Sequence, residues 1–188
     1  MVSSVNYRWV SGNETMFNGC SKLPPAHYII YNKETGIQLV QYWDLKEDIK
    51  SSQNENALAQ DIANAVEQSV NRHMVADVPV SSFLSGGLDS SLISVIAKKT
   101  NTKLSTFTIG TSDKDQKVES MPDDEKYAKI LADAFELDHH VIKISPDILK
   151  DFPAMVKTLD EPIGDPAAIN TYLICKAAKE KGVKVLLS

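Results

Sequence analysis

Seven consecutive residues, Ser85-Gly86-Gly87-Leu88-Asp89-Ser90-Ser91, have the composition of an anion cradle. Two adjacent glycines remove Cβ atoms, so the backbone can approach a ligand closely and visit positive φ. The N–H groups exposed this way, with the N terminus of a following helix, attract anions. Ser85, Ser90 and Ser91 add hydroxyl donors. The segment is neither of the commoner phosphate loops. No lysine lies between Ser85 and Ser91, as a Walker loop requires, and G-x-G-x-x-G is absent. Asp89 stands where a lysine would be expected. A carboxylate and a polyphosphate are both negative and need a cation between them, and Mg²⁺ prefers carboxylate plus phosphate oxygens. A plainer reading stands beside this one: a glycine-rich turn before a helix, with Asp89 or Ser90 as its cap.

A second concentration of acids, Asp160, Glu161 and Asp165, falls in Leu159-Asp-Glu-Pro-Ile-Gly-Asp-Pro-Ala-Ala168. Such a loop is commonly solvated, and Asp165 before Pro166 can cap a helix. His139 and His140 are adjacent in a strand-like run, so their side chains should point to opposite faces and cannot easily share one metal ion. Cys20 and Cys175 show neither a disulfide framework nor metal-ligand spacing, and read as reduced thiols. His73 beside a helical apolar stripe reads as structural, since no partner is visible.

The elements that must position these residues follow from periodicity. Val78, Val80, Phe83 and Leu84 form an apolar strand directly before the 85–91 loop, and Leu92, Ile93, Val95 and Ile96 fall near helical spacing after it. Residues 104–110 read as a second strand and 139–144 as a third. Residues 183–187 read as a fourth. Helices are expected over 123–136 (opened by Pro122, with Tyr127, Ile130, Leu131 and Phe135 inward), over 147–159 behind Ser145-Pro146, and over 169–181 with Gly182 as the stop. The 111–125 stretch, rich in both signs, reads as a surface loop. Upstream, Leu58, Ile62, Val66, Val70 and Met74 recur every four residues and predict a core-facing helix over 54–76. Strands alternating with helices imply right-handed crossovers and a parallel sheet covered on both faces. Ligands of such sheets sit beyond the carboxyl ends of the strands, where the 85–91 loop begins and where Leu84 and Ile109 lie.

Residues 1–45 differ. Two short β-like runs, 26–31 and 37–43, are joined by a five-residue loop ending in Gly36, which predicts an antiparallel hairpin. A lone hairpin is marginal and needs partner strands. Residues 44–53 are polar and read as a linker.

Composition bounds the remaining options. With 43% hydrophobic and 24% charged residues in a chain of 188, a soluble globular protein is the default. A net charge of −5 without a basic patch argues against nucleic acid as the main partner. No apolar run approaches a membrane span, and residues 1–8 lack the apolar core of a signal peptide, so a cytoplasmic location is expected.

Ser-Gly-Gly-x-Asp-Ser resembles the pyrophosphate-binding loop of the ATP pyrophosphatases, which split ATP between the α and β phosphates. The longer stretch Phe83 to Ser91 is similar to that of the glutamine-dependent asparagine synthetases; NAD, GMP and tRNA-thiolation relatives usually carry another residue in place of Leu88. Phe17-Asn-Gly-Cys-Ser-Lys-Leu-Pro-Pro-Ala-His27, followed by Tyr42-Trp43, is similar to the end of the glutaminase domain of those synthetases, which usually have glycine at the place of Ala26. Asp160-Glu-Pro-x-Gly-Asp165 is found in bacterial and archaeal members, at the active-site cleft.

The resemblance implies an adenine nucleotide alpha hydrolase-like α/β domain over residues 77–188, truncated. Residues 46–76 would be linker and helix, and 1–45 the β-hairpin tail of an N-terminal-nucleophile hydrolase domain. It implies that Leu84 and Ile109 contact the adenosine and that residues 85–91 take the pyrophosphate. Asp89 would hold Mg²⁺ through it, and Ser188 would begin a second nucleotide loop, Ser-Gly-x-Gly-x-Asp-Glu. That family's catalytic cysteine directly follows the initiator methionine, whereas position 2 here is Val2, so an internal fragment is expected. The implied reaction adenylates aspartate with ATP and amidates it with ammonia from glutamine. A homodimer of the longer parent is compatible with this. Two alternatives stay open: the same adenylation of another carboxylate, as in β-lactam-forming or sugar-amidating relatives, and a nucleotide-binding fragment without turnover.

Overall fold

A computed structural model of the chain describes residues 6–47, 54–110, 123–143 and 149–188. The expected loop over 111–121, the helix start at Pro122 and the Ser145-Pro146 cap lie outside the described residues. The chain divides into two compact units: residues 1–52 with 153–166, and residues 53–152 with 167–188.

In the first unit, β1 (His27–Asn32) and β2 (Gly36–Gln41) pair antiparallel in the register His27↔Gln41 to Asn32↔Gly36. That register leaves only residues 33–35 in the loop, shorter than the five residues expected. Gly36 at φ +78 has the left-handed backbone that closes three-residue hairpins, so it joins the strand. The Asn32 side-chain oxygen accepts from Glu34 N–H at 2.8 Å, an Asx turn that supports the bend. Tyr28 and Tyr42 stack with ring centroids 6.2 Å apart, yet Tyr31 and Ile37 on the hairpin are exposed. Residues 153–166 join this unit through Gly164, whose N–H donates to the Arg8 carbonyl at 2.8 Å.

The second unit is a four-stranded parallel sheet in the order β5-β4-β3-β6. The strands are β3 (Val80–Phe83), β4 (Ser105–Gly110), β5 (Asp138–Lys143) and β6 (Val185–Leu187). The helices are α1 (Glu55–His73), α2 (Leu88–Thr100), α3 (Asp124–Ala134), α4 (Phe152–Thr158), which crosses from this unit into the first, and α5 (Ala167–Glu180). Two apolar clusters make its core. Val70, Leu84, Ile96, Ala97, Leu104, Ala128, Ala132 and Leu137 join α1, α2 and α3 to one sheet face. Phe107, Ile174, Ala178 and Val183 join α5 to the other, with Phe83 and Ile109 packed against them. The strand period of two explains the split: Phe83 points to one face and Leu84 to the other. Among the described residues no helix is long and apolar enough to cross a membrane.

Two helix faces depart from the periodic reading. On α1, Val70 is buried and Val66 and Met74 pack on the core, but Leu58 and Ile62 are exposed, so only the C-terminal half of the stripe is covered. On α3, Tyr127, Ile130 and Phe135 are exposed, and the inward face is Ala128, Leu131 and Ala132. Residues 128, 131 and 132 have the i, i+3, i+4 spacing of one face. Its two alanines let the helix lie close to the sheet, whereas larger side chains there would hold it off.

Candidate functional site

The strand order reverses at β3. The connections from β3 through α2 to β4 and through α3 to β5 run to one side, and β6 adds on the other. Where an open α/β sheet reverses, the carboxyl ends of the two central strands part and leave a crevice. The 85–91 loop leaves β3 at this point. The register Ser82↔Leu187 sets Ser188, the next residue of β6, beside the end of β3. Ile109 and Gly110 end β4 on the same edge. The structure thus gathers the 85–91 loop, Ile109 and Ser188 at one edge of one sheet.

The loop is held by its own hydroxyls. Ser90 Oγ accepts from Ser85 N–H at 3.2 Å, lies 2.9 Å from Ser85 Oγ, and donates to the Gly87 carbonyl at 3.2 Å. Gly87 N–H points to Ser85 Oγ at 3.4 Å. Gly87 is the N-cap of α2, and among the described residues no side chain caps that helix. The first N–H groups of a helix lack intrahelical acceptors, so the N terminus of α2 offers uncapped donors and the positive end of its dipole. Neither Asp89 nor Ser90 acts as cap: the glycine-rich turn of the plainer reading is present, and Ser90 braces it from within. Asp89 is exposed in the first turn of α2 and, among the described residues, forms no ion pair. A free carboxylate next to uncapped N–H donors suits a phosphate-bound Mg²⁺, which takes few protein carboxylates and completes its shell with phosphate and water oxygens.

The two glycines have different tasks. Gly86 has φ +76, and a Cβ there would lie 2.7 Å from Tyr127 Cβ and 2.8 Å from Ala128 N. It is the point at which the loop touches the first turns of α3. Gly87 has an ordinary φ of −73, and among the described residues a Cβ there would meet only Ser85 Oγ at 3.4 Å, an ordinary contact. Its bareness keeps the helix N terminus uncluttered on that side. Beside them, Lys143 at the end of β5 pairs with Glu125 of α3 (Nζ to Oε1 2.7 Å) over Gly110, where a Cβ would collide with Glu125 and Val141. Burial, with neighbouring Asp123 second, pushes the Asp124 carboxyl up. The helix expected over 123–136 takes Glu125 into the first turn of α3, so the surface-loop reading of 111–125 does not hold for its last residues. The Asp123 side chain accepts from Lys126 N–H at 3.0 Å and caps that turn, whereas the pairing of Glu125 with Lys143 has no signal in the sequence.

Other expected residues lie elsewhere or act differently. Leu84 is fully buried in the α1–α2–α3 cluster, and Ile109 packs on the opposite face with Phe107. Their side chains cannot line one pocket, and only their backbones can share a ligand at the strand ends. Asp160, Glu161 and Asp165 belong to the first unit. There Glu161 pairs with Lys22 at 2.8 Å, and Lys22 Nζ also donates to the Val10 carbonyl at 2.8 Å. Glu161 and Asp160 line a cavity of about 510 Å³ with Trp9, Phe17 and Ile163. His139 and His140 do point apart: His139 Nδ1 lies 2.9 Å from Thr106 Oγ1, and the His140 ring sits 5.1 Å from that of Phe107. Burial, then the charges of His140 and Lys129, hold His139 below its ordinary value.

Comparison with known proteins now bears on this arrangement. Residues 61–188, which include the whole loop and sheet, match the asparagine synthase family. The chain belongs to the asparagine synthase family. It is 35% identical over 186 residues to asparagine synthetase [glutamine-hydrolyzing] 1 of Bacillus subtilis, covering 98% of this chain and 28% of that protein. It is 32% identical over 181 residues to the putative asparagine synthetase [glutamine-hydrolyzing] 2 of Methanocaldococcus jannaschii, covering 93% of this chain and 33% of that protein. The chain therefore spans a third or less of these two curated relatives. Among solved structures it is similar to the glutamine-dependent NAD⁺ synthetase from Acinetobacter baumannii in complex with adenosine diphosphate, at 14% identity and a TM-score of 0.43, covering 84% of this chain and 29% of that one.

Proposed function

We propose that this chain is the nucleotide-binding part of a glutamine-dependent asparagine synthetase. The observation that carries the reading is the uncapped N terminus of α2 behind the Gly86-Gly87 turn, at the switch point of the sheet, in a member of the asparagine synthase family. The loop N–H groups and the helix dipole receive the β and γ phosphates of ATP, and the adenosine lies along the backbone ends of β3 and β4 at Leu84 and Ile109. Ser188 borders the same nucleotide. Asp89 would hold a Mg²⁺ ion, which would supply positive charge against the pyrophosphate oxygens. The side-chain carboxylate of aspartate attacks the α phosphorus, the bond to the bridging oxygen breaks, and pyrophosphate departs onto the 85–91 loop. Preorganised donors aimed at charge that develops on the leaving group lower the barrier without reorganising during the step. Ammonia derived from glutamine then attacks the β-aspartyl-AMP carbonyl and releases AMP.

In this reading residues 77–188 are the first half of the synthetase domain, 46–76 the linker and its helix, and 1–45 the end of an N-terminal-nucleophile glutaminase domain. The exposed apolar side chains of β1 and β2 support the last assignment, since a hairpin of this kind is stable as part of a larger sheet. Asp160, Glu161 and Asp165 are assigned to the active-site cleft on the motif alone. The reading puts the work in the cytoplasm and is compatible with a homodimer of the parent enzyme.

ATP–pyrophosphate exchange by the full-length enzyme containing this chain tests the reading. Exchange should require Mg²⁺ and aspartate and should fall at least about a hundredfold in Asp89→Asn. Exchange that proceeds with another carboxylic acid and not with aspartate would transfer the adenylation to a different acceptor. No exchange with any acid in a panel would sink the reaction altogether.

A further inference from the structure

Two buried hydroxyls lie directly behind the loop and take no part in the site described so far. Ser82 on β3 and Ser94 on α2 are both fully buried. Ser94 Oγ donates to Ser82 Oγ at 3.0 Å, and Ser82 Oγ donates to the Phe83 carbonyl at 3.0 Å. Ser94 Oγ also lies 3.4 Å from that carbonyl. Phe83 ends β3, one residue before Leu84, whose N–H is fixed to the Phe107 carbonyl of β4 at 2.9 Å. The loop is thus bracketed: its incoming strand and its outgoing helix are tied together by one chain of hydroxyl bonds that meets the backbone where the strand ends.

Alanine would fill these two positions with less polar surface to bury, and a helix packs on a sheet through apolar contact alone. Apolar contact lets a helix slide or rotate slightly at little cost, because it has no preferred direction. A hydrogen bond does have one, and it weakens steeply off line. A helix whose N–H groups must converge on a small anion needs a fixed depth and rotation against its strand.

We propose that Ser82 and Ser94 are positioning residues for the anion cradle: their hydroxyl pair sets α2 against the end of β3 so that the N–H groups at residues 87–91 converge. This rests on the pyrophosphate-binding reading above. It assigns the pair no contact with ligand.

The test is calorimetric binding of inorganic pyrophosphate with Mg²⁺, and separately of adenosine, to the full-length protein and to Ser82→Ala, Ser94→Ala and the double variant. Urea unfolding in parallel establishes that each variant is folded under the binding conditions. Each single variant should weaken pyrophosphate binding about tenfold while adenosine binding is kept, because only the phosphate end depends on the helix N terminus. The double variant should be no weaker than the worse single one, as expected for two groups acting through one bond. Equal pyrophosphate affinity in folded variants and wild type overturns the proposal, as does a parallel loss for adenosine. Failure of the wild type itself to bind pyrophosphate overturns the functional reading instead. Should Ser94→Ala not fold, Ser82→Ala decides the matter alone, since it breaks the same hydroxyl pair from the strand side.

Discussion

Gly86 and Gly87 look interchangeable in the sequence, where both imply room for a ligand. The backbone separates them. Gly86 sits at φ +76 against the backbone of α3, while Gly87 sits at an ordinary φ where, among the described residues, a Cβ would make one ordinary contact with Ser85 Oγ. Gly86→Ala should therefore be a folding defect. The left-handed backbone costs a residue with a Cβ about 1–2 kcal/mol, and displacing α3 adds about 1–3 kcal/mol. Gly87→Ala should change the urea midpoint little and weaken pyrophosphate binding. Urea unfolding and pyrophosphate titration of the two variants give this crossed pattern, and two variants of equal stability would refute it. The same limit explains Leu84 and Ile109. The motif resemblance put both beside the adenosine, but side-chain direction follows the strand pleat, and the pleat sends them to opposite faces. Position along the chain was legible in the sequence, and direction in space was not.

At the scale of elements, the parallel strands and the helices between them were legible because short runs rich in β-branched and aromatic residues alternate with segments of helical spacing. Boundaries moved by a few residues: β6 begins at Val185 and α5 at Ala167. The helix faces were less legible, since apolar size was taken as the mark of burial. On α3 the buried face is built on Ala128 and Ala132, and Tyr127 and Ile130 stay outside. On α1 periodicity continues through Leu58 and Ile62, yet contact with the core begins only at Val66. The stripe is uniform in sequence and graded in energy. Val70→Ala, at a site 6% exposed, should cost about 2 kcal/mol through lost burial and an unfilled space. Leu58→Ala removes more carbon from a side chain 47% exposed, and should cost about 0.5 kcal/mol or less. Chemical denaturation of the two variants checks the order; a Leu58 loss as large as that of Val70 would mean that the whole stripe is covered.

At the scale of the whole molecule, the chain's division into two units was only partly legible. The change of character near residue 45 is visible in the loss of β-like alternation. The return of residues 153–166 to the first unit is not, because nothing in a Pro- and Gly-bearing acidic loop names its partner; the Lys22–Glu161 pair and the Gly164–Arg8 bond supply it. This division has a measurable consequence. Both tryptophans, Trp9 and Trp43, lie in the first unit, while α1, α2, α3 and α5 lie in the second. Tryptophan fluorescence therefore follows one unit and far-UV helix ellipticity mostly the other. Two-state unfolding requires the two probes to coincide. In this chain the two transitions should separate in urea, and Mg²⁺ with pyrophosphate should move only one. A ligand that binds the native cradle at about a hundred times its dissociation constant adds about 2.7 kcal/mol to the unit that holds it. The ellipticity midpoint should rise by the corresponding amount, with the fluorescence midpoint unchanged. Coincident midpoints that rise together would mean that the two units unfold as one, with the energy of pyrophosphate binding at α2 felt as far as the hairpin.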